Sequence, residues 1–280
     1  MIDVQNLNLI KDYKMDKYFK YILLLFFLVF CFTSGYSSPL SKPVMYSYYG
    51  HVKVLRVGTT GDYPPITYYN PDTDKYKGFA IDMAKSLGKH LNVKVKFIKT
   101  SWPTLSKDLK SGKFDIAMGG ITATKKRGKL FLLSNPIITS GKVALIRKKD
   151  KNKFTSLQSI DKKDVTVVEN LGGTNLQFAK KNIHNAKIIV VEKNKTVFQY
   201  LLSGKADVMF TDIVEAEYRA SIMPELYVVN PWVLYDKSVK VYLISKKYPW
   251  LQKEVNEWLK TMKTSGNLSK YFKESLKIKY

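Results

Sequence analysis

Two acidic residues stand three positions apart at the start of a predicted helix, where both could act on one ligand. Asp212 follows an apolar strand, and Glu215 lies in the first turn of the helix predicted over residues 213–221. Residues at this spacing share one face of a helix, so both carboxyls could face a single site. Acids also favour helix N-termini because they compensate the helix dipole. A functional and a purely structural interpretation are therefore both open for this pair.

Other residues have side chains or backbone suited to binding an anion. Arg127 follows Thr122 by five positions, and its planar guanidinium fits a carboxylate, although it could equally be a surface charge. Gly172 and Gly173 precede a predicted helix, where their N–H groups could approach an anion, and Thr174 adds a hydroxyl. A plain helix cap would use the same residues.

The elements that must position these residues alternate between strand and helix. The predicted strands span residues 52–59, 93–98, 114–118, 142–147, 164–168, 186–191, 207–210 and 239–244. The predicted helices span residues 78–91, 102–109 (with Ser101 as its N-cap), 174–182, 195–202, 213–221, 249–264 and 268–276. This alternation predicts an α/β fold in which each lobe is a mostly parallel sheet flanked by helices.

The polar and glycine-rich segments follow four of the predicted strands, two in each proposed lobe. In open α/β sheets, ligands bind beyond the carboxyl ends of the strands, so we expect one cleft between the lobes. The chain is predicted to cross between lobes near residues 140–142 and 235–239. Lobe 1 would comprise residues 38–141 and 237–280, and lobe 2 would be the inserted segment 142–236. Two crossings make a hinge that lets the cleft close over a ligand.

The N-terminal segment has the features of a secretory leader. An apolar run over residues 22–32 follows Lys17 and Lys20 and precedes small polar residues. A membrane span needs about 20 apolar residues, and this run is shorter. We therefore predict a cleavable signal peptide over residues 1–37, with Met15 as a possible start and an uncleaved anchor as the alternative. The mature protein would be periplasmic and free of the membrane.

Composition excludes several functional classes. The formal net charge of +24 comes from lysines spread along the whole chain, with no nucleic-acid motif. Such a surface indicates no nucleic-acid partner and favours a small anionic ligand. Cys31 is the single cysteine and lies in the leader, so the mature protein has neither a disulfide nor a thiol nucleophile. The three histidines are scattered, so no metal site and no cofactor is expected.

The chain resembles the type II periplasmic solute-binding proteins, the class that includes polar amino-acid receptors of ABC importers. The residues that carry this resemblance are Leu55-Arg56-Val57-Gly58, Tyr63-Pro64-Pro65, Gly78-Phe79-Ala80-Ile81-Asp82-Met83, Phe114-Asp115-Ile116-Ala117, Thr122 with Arg127, and Gly204-Lys205-Ala206-Asp207. The resemblance implies the two-lobed type II binding-protein fold with two hinge crossings.

One enzymatic branch of this class, the periplasmic cyclohexadienyl dehydratases, is more similar still. The similarity lies in Thr59-Thr60-Gly61-Asp62-Tyr63, Thr100-Ser101-Trp102-Pro103, Asn170 with Gly172-Gly173-Thr174-Asn175, and Thr211-Asp212 with Glu215-Ala216. These enzymes are prephenate or arogenate dehydratases, which couple dehydration of the substrate to loss of carbon dioxide.

The resemblance implies a role for each matching residue. Glu215 matches the general acid, which burial would keep protonated near neutral pH. Arg127 matches the carboxylate-binding arginine. The remaining implied substrate-binding residues are Asn170, Thr174, Trp102, Lys142, Thr122, Asp62, Tyr63 and Asp212. Tyr63, Trp102 and Phe178 are the candidate apolar walls around the acid, although an aromatic residue is more often part of a core.

The competing interpretation is an amino-acid receptor that delivers its ligand to an ABC importer. In that case Asp212 would pair with the ligand's ammonium group and Arg127 with its carboxylate, while Glu215 would be incidental. The fold does not separate the two, because function depends on the site.

Overall fold

The computed structural model describes residues 54–278. The predicted signal peptide over residues 1–37 and the start of the proposed lobe 1 lie outside the described residues. None of the helices between residues 54 and 278 is long and apolar enough to cross a membrane.

Residues 54–278 form two large sheets, and the first of them has six strands. They are β1 (Val54–Thr59), β5 (Lys94–Lys99), β6 (Ile116–Thr122), β7 (Leu132–Leu133), β8 (Ile138–Ser140) and β14 (Ser238–Ile244). The strand order is β5-β1-β6-β14-β7, and β8 also pairs with β14. β1, β5 and β6 run parallel, and β14 is antiparallel to each of its neighbours.

The second large sheet has five strands. They are β9 (Lys142–Arg147), β10 (Thr166–Asn170), β11 (Lys187–Val191), β12 (Val208–Asp212) and β13 (Leu226–Val229). The order is β11-β10-β12-β9-β13, and β9 is antiparallel to both of its neighbours. Each large sheet is thus mostly parallel with one reversed strand, which confirms the predicted fold class.

The helices cover these sheets with their apolar faces. They are α1 (Phe79–Leu91), α2 (Leu105–Lys110), α3 (Lys125–Leu130), α4 (Leu157–Ile160), α5 (Thr174–Asn182), α6 (Asn194–Leu202), α7 (Ile213–Ile222), α8 (Pro249–Thr264) and α9 (Asn267–Leu276). In α1, Ile81, Leu87 and Leu91 are all buried, as their helical spacing predicts.

Both reversed strands enter their sheet directly from the other sheet. The chain leaves β8 and enters β9 through Gly141, and it returns from β13 to β14 through residues 230–237. The two passages lie side by side, because the Lys142 N–H donates to Asp236 Oδ1 at 2.7 Å and the Tyr235 N–H donates to the Lys142 carbonyl at 2.8 Å.

The structure corrects several predicted boundaries. The strand predicted at 164–168 begins and ends two residues later, and the one predicted at 207–210 begins one residue later and ends two residues later. The strand predicted at 114–118 begins two residues later and ends four residues later. Residues predicted to be loops are therefore paired in strands. Helix α2 begins at Leu105 rather than at residue 102, and Thr104 rather than Ser101 occupies its N-cap position. The Ser101 carbonyl instead accepts from the N–H groups of Thr104 and Leu105 in a turn before the helix.

A small antiparallel sheet lies in a segment that sequence patterns left without structure. Its strands are β2 (Asp62–Tyr63), β3 (Thr67–Asn70) and β4 (Lys75–Lys77). At the turn after β3, Asn70 Oδ1 accepts from the N–H groups of Asp72 and Thr73. Strands of two to four residues are too short to show alternation, which explains why they were missed.

Candidate active site

A polar pocket lies where the ends of strands from both large sheets meet. Its empty space is about 320 Å³, and its lining residues are Tyr63, Trp102, Gly120, Thr122, Arg127, Asn170, Gly173, Thr174, Asn175, Asn194 and Asp212. Seven of the ten predicted site residues are in this lining. The other three, Glu215, Lys142 and Asp62, contact lining residues from behind.

Glu215 lies in the first turn of α7 and is completely buried. Its Oε1 accepts from Asn194 Nδ2 at 2.8 Å, and Thr211 Oγ1 donates to its Oε2 at 2.7 Å. Burial raises the pKa of Glu215 to about 7, against the opposing charge of Arg219 and these two hydrogen bonds. The carboxyl is therefore partly protonated at neutral pH, as a general acid requires.

Asp212 ends β12 and is surrounded by cationic and hydroxyl donors. Its Oδ2 lies 2.6 Å from Lys240 Nζ and accepts from the Tyr63 hydroxyl at 2.8 Å, and its Oδ1 lies 3.1 Å from Lys142 Nζ. Burial alone would raise the pKa of Asp212, but the charges of Lys142 and Lys240 hold it below its usual range. Asp212 is therefore ionised at any pH near neutrality.

The two lysines around Asp212 also fix neighbouring polar groups. Lys142 is the cross-strand partner of Asp212, and its Nζ donates to Asn175 Oδ1. Lys240 is the cross-strand partner of Thr122, and its Nζ donates to Thr122 Oγ1 at 2.8 Å. Both side chains are almost fully buried, so they act on the pocket through Asn175, Thr122 and Asp212 rather than from the lining.

Arg127 lies in α3 and lines the pocket. Its Nη1 donates to the Thr122 carbonyl at 2.6 Å. Burial lowers the pKa of Arg127 to about 10, against the charge of Asp212, so the guanidinium stays cationic at neutral pH. The planar fork is thus held beside the pocket in the state that binds a carboxylate.

The loop that carries Trp102 packs directly against the turn before α5, beside the pocket. Gly172 has φ of +87°, and a β-carbon there would lie 2.6 Å from Cα of Pro103. Trp102 donates from Nε1 to Asp62 Oδ1 at 3.0 Å and packs edge-on against the Tyr63 ring at 5.9 Å. Asp62 therefore orients the aromatic wall instead of reaching into the pocket.

Phe178 and Glu169 have structural roles near the pocket. Phe178, a predicted wall of the pocket, instead packs against Phe210 and Tyr235 in the core of the second sheet. Glu169 is completely buried within β10, where its Oε1 accepts from the Phe210 N–H at 2.7 Å. Burial raises the pKa of Glu169 well above its usual value, which favours the neutral carboxyl.

The sequence analysis assigned no role to four polar residues of this site, although Asn175 and Thr211 lie in the segments that carry the resemblance. Asn194 and Thr211 donate to Glu215, Asn175 donates to Thr211, and Lys240 pairs with Asp212. Lys240 could have been noticed as a charged residue inside the apolar run of β14, because a buried lysine needs a partner. Asn194 gave no such signal, since it precedes the predicted start of its helix and resembles an ordinary cap.

The fold and the cleft-like pocket define the class of protein. The chain belongs to the bacterial extracellular solute-binding proteins, family 3, whose sequence profile matches residues 55–277. It is 37% identical to a cyclohexadienyl dehydratase of Pseudomonas aeruginosa, over 81% of this chain and 84% of that protein. It is 28% identical to an L-cystine-binding protein of Bacillus subtilis, over 79% of this chain and 80% of that protein.

Solved structures extend the same similarity. An ancestral amino-acid-binding protein, a precursor of cyclohexadienyl dehydratase, matches with a TM-score of 0.75 at 39% identity, covering 80% of this chain and 96% of its own. An arginine-bound substrate-binding protein of an amino-acid ABC transporter from Streptococcus pneumoniae shares the fold, with a TM-score of 0.75 at 23% identity and coverage of 80% and 95%. The predicted resemblance to the solute-binding proteins and their dehydratase branch is confirmed.

Proposed function

We propose that this protein is a cyclohexadienyl dehydratase, which converts prephenate to phenylpyruvate, arogenate to phenylalanine, or both. The observation that carries the proposal is the completely buried Glu215 carboxyl, whose pKa of about 7 keeps a proton available beside a pocket that holds Arg127. The 37% identity to a dehydratase over most of the chain supports the same assignment.

The reaction needs one proton and correct orientation. Glu215 donates its proton to the ring hydroxyl of the substrate, which leaves as water. The bond between the ring and its carboxylate breaks, carbon dioxide leaves, and the electron pair completes the aromatic ring. The aromatic product makes the reaction favourable, so a general acid contributing roughly 10²–10⁴-fold is a useful share of the catalysis. Glu215 then regains a proton from solvent.

The lining supplies groups that hold the substrate. Arg127 and Thr122 bind one carboxylate, and Thr174 with the N–H groups at the start of α5 binds the other. Trp102 and Tyr63 form the walls of the pocket, and their apolar surface helps to exclude water. In this proposal Lys142 positions Asn175 and Asp212 and does not itself contact the substrate.

Asn194 controls contact between Glu215 and the substrate. Its amide contacts the pocket, donates to Glu215 Oε1 and also donates to the Asp62 carbonyl at 3.0 Å. Because an amide NH₂ group only donates, Oε1 is the accepting oxygen of the hydrogen bond from Asn194. In this proposal the bound substrate displaces one of these hydrogen bonds when it takes the proton.

The proposal also includes closure of the two lobes over the substrate and export of the protein. The lobes are residues 38–141 with 237–280 and residues 142–236, and the adjacent passages at Gly141 and residues 230–237 form the hinge. The lobes close over the substrate and separate to release the product. The signal peptide over residues 1–37 exports the protein to the periplasm.

The second candidate is an amino-acid receptor of an ABC importer. It is favoured by the presence of Arg127 and Asp212 in one lining, a pair that matches the two charges of an α-amino acid. Related receptors, such as the 28% identical L-cystine-binding protein, belong to the same family.

One experiment separates the candidates. The purified protein is mixed with prephenate at neutral pH and phenylpyruvate is followed by absorbance, beside the variant Glu215→Gln, which keeps the shape but has no acidic proton. We expect turnover in the wild type and loss of nearly all of it in the variant, with prephenate binding retained. Absence of turnover together with a thermal shift by arginine or glutamine would establish the receptor instead.

A further inference from the structure

We infer that the buried charges around the pocket select a ligand with two negative charges and no ammonium group, and that Lys240 is the residue that sets this preference. The inference rests on the proposed function, and it predicts that prephenate is preferred over arogenate. Prephenate carries two carboxylates, whereas arogenate carries two carboxylates and an ammonium group.

Asp212 is the carboxylate that would bind an ammonium group of the ligand, and its charge is already neutralised by two lysines. Asp212 Oδ2 lies 2.6 Å from Lys240 Nζ and 2.8 Å from the Tyr63 hydroxyl, and Lys142 Nζ lies 3.1 Å from Oδ1. Oδ1 makes no aligned hydrogen bond with the described part of the chain, so it keeps the capacity to accept one. A ligand ammonium at Oδ1 would nevertheless stand beside two protein ammonium groups, and like charges in a buried site repel strongly.

The charges facing the pocket do not balance without a ligand. Arg127, Lys142 and Lys240 are three cations, and within residues 54–278 Asp212 is the one ionised acid in contact with the two lysines. Buried charge is unfavourable unless it is paired, so this surplus of two positive charges stabilises a ligand that brings two negative ones.

The remaining titratable groups do not cancel the surplus. Burial raises the pKa of Glu215 to about 7 and that of Glu169 well above its usual value, so neither carries a full negative charge at neutral pH. Asp62 and Arg219 have opposite charges and act on each other. Burial also raises the pKa of the Tyr63 phenol, which stays neutral.

Lys240 transmits its effect to the lining through Thr122. Its Nζ donates to Thr122 Oγ1 at 2.8 Å, which occupies a lone pair of that hydroxyl and leaves the hydroxyl hydrogen for another acceptor. Thr122 lines the pocket, so this hydrogen is available to a ligand carboxylate. Lys240 thus adds both a positive field and an oriented donor, and it is a positioning residue for substrate specificity.

The test compares kcat/KM for prephenate and arogenate in the wild type and in Lys240→Met, with Lys260→Met as a control that removes an exposed lysine of α8. We expect the wild type and the control to prefer prephenate. In Lys240→Met we expect kcat/KM for prephenate to fall about tenfold or more through KM, and that for arogenate to fall less, because loss of the lysine charge also relieves its repulsion of the ammonium group. Lys240→Arg, which keeps the charge, should retain the preference even if the methionine variant folds poorly.

The possible failures are distinguishable. A wild type that uses arogenate at least as well as prephenate, or a Lys240→Met variant that loses both activities equally, overturns the inference and leaves the dehydratase intact. If the wild type turns over neither substrate, the proposed function fails, and calorimetric binding then decides the inference. Tighter binding of prephenate than of arogenate would uphold it, and equal or reversed affinities would reject it.

Discussion

Lys240 Nζ and Asp212 Oδ2 lie 2.6 Å apart although the two residues belong to different large sheets. Each residue also faces a polar cross-strand partner in its own sheet, Thr122 for Lys240 and Lys142 for Asp212. The Tyr63 hydroxyl reaches the same carboxylate from β2. The ion pair therefore joins the two sheets at the pocket, and Lys240, which donates to Thr122 in the pocket lining, also helps to hold the sheets together there.

The pKa of Glu215 predicts the pH dependence of turnover. The carboxyl donates a proton only in its neutral form, and burial places its pKa at about 7. We therefore expect kcat/KM for prephenate to be highest on the acid side and to fall as the pH rises through about 7. Initial rates between pH 5 and 9 measure this, with Glu215→Gln as the control that should show only a low, flat residual rate. A rate that rises through pH 7 would make the group a base and contradict its role.

The pKa of Lys240 predicts a second change in the pH profile, at higher pH than the change caused by Glu215. Burial lowers the pKa of Lys240 to about 8, with Asp212 opposing the shift and Lys142 reinforcing it. Above this pH the lysine loses its charge, so we expect KM for prephenate to rise while Arg127, with a pKa of about 10, stays cationic. In Lys240→Met this rise should be absent and the limb near pH 7 should remain. An unchanged KM up to pH 9 in the wild type would count against a charged Lys240 in ligand binding.

Sequence patterns predicted the bounds of an element correctly where the residues at its ends determine where it begins. Helices α5 and α8 have the predicted bounds, because glycines precede α5 and a proline opens α8. Strand β9 also has the predicted bounds. Gly119 and Gly120 misled the prediction for β6, since paired glycines are typical of turns. In the structure Gly120 has φ of +74° and lies inside the strand, where a β-carbon would meet the Tyr63 ring at 2.7 Å.

The site was predictable residue by residue only in part. Strand-end positions brought Thr122, Asn170 and Asp212 to one pocket, as the topology of α/β sheets requires. Strand register could not be known from one sequence, so the pairing of Lys240 with Thr122 was not foreseen. The resemblance to the dehydratases assigned Lys142 to the substrate, and in the structure its ammonium group is engaged with Asn175 and Asp212.

Asn194 is predicted to position the acid. In Asn194→Leu, a substitution of similar size, Glu215 loses the donor to Oε1, so we expect kcat to fall about 10–100-fold with a smaller change in KM. Since that hydrogen bond lowers the pKa of Glu215, the limb of the pH–rate profile near 7 should move to higher pH. Asn182→Leu, on the outer half-buried part of α5, is the control. A pH profile that stays in place would assign Asn194 a merely structural role.

Gly172 is predicted to permit the close approach of the Trp102 loop to the start of α5. In Gly172→Ala the β-carbon would lie 2.6 Å from Pro103 Cα, so the loop must move away from the pocket. We expect KM for prephenate to rise about tenfold, because the wall formed by Trp102 is displaced. The positive φ of +87° adds a separate strain of about 1–2 kcal/mol to the folded state.

Gly204→Ala separates these two effects. Gly204 also has a positive φ, +74°, but a β-carbon there would meet no atom of residues 54–278 within 4 Å. Both variants should therefore lower the free energy of unfolding in urea through this strain, Gly172→Ala by the larger amount because Pro103 must also move, and Gly172→Ala alone should raise KM. Equal KM values in the two variants would mean that strain in the backbone, and not contact with Pro103, accounts for the glycine at position 172. A higher KM confined to Gly172→Ala makes the fit between the loop and α5 part of substrate binding.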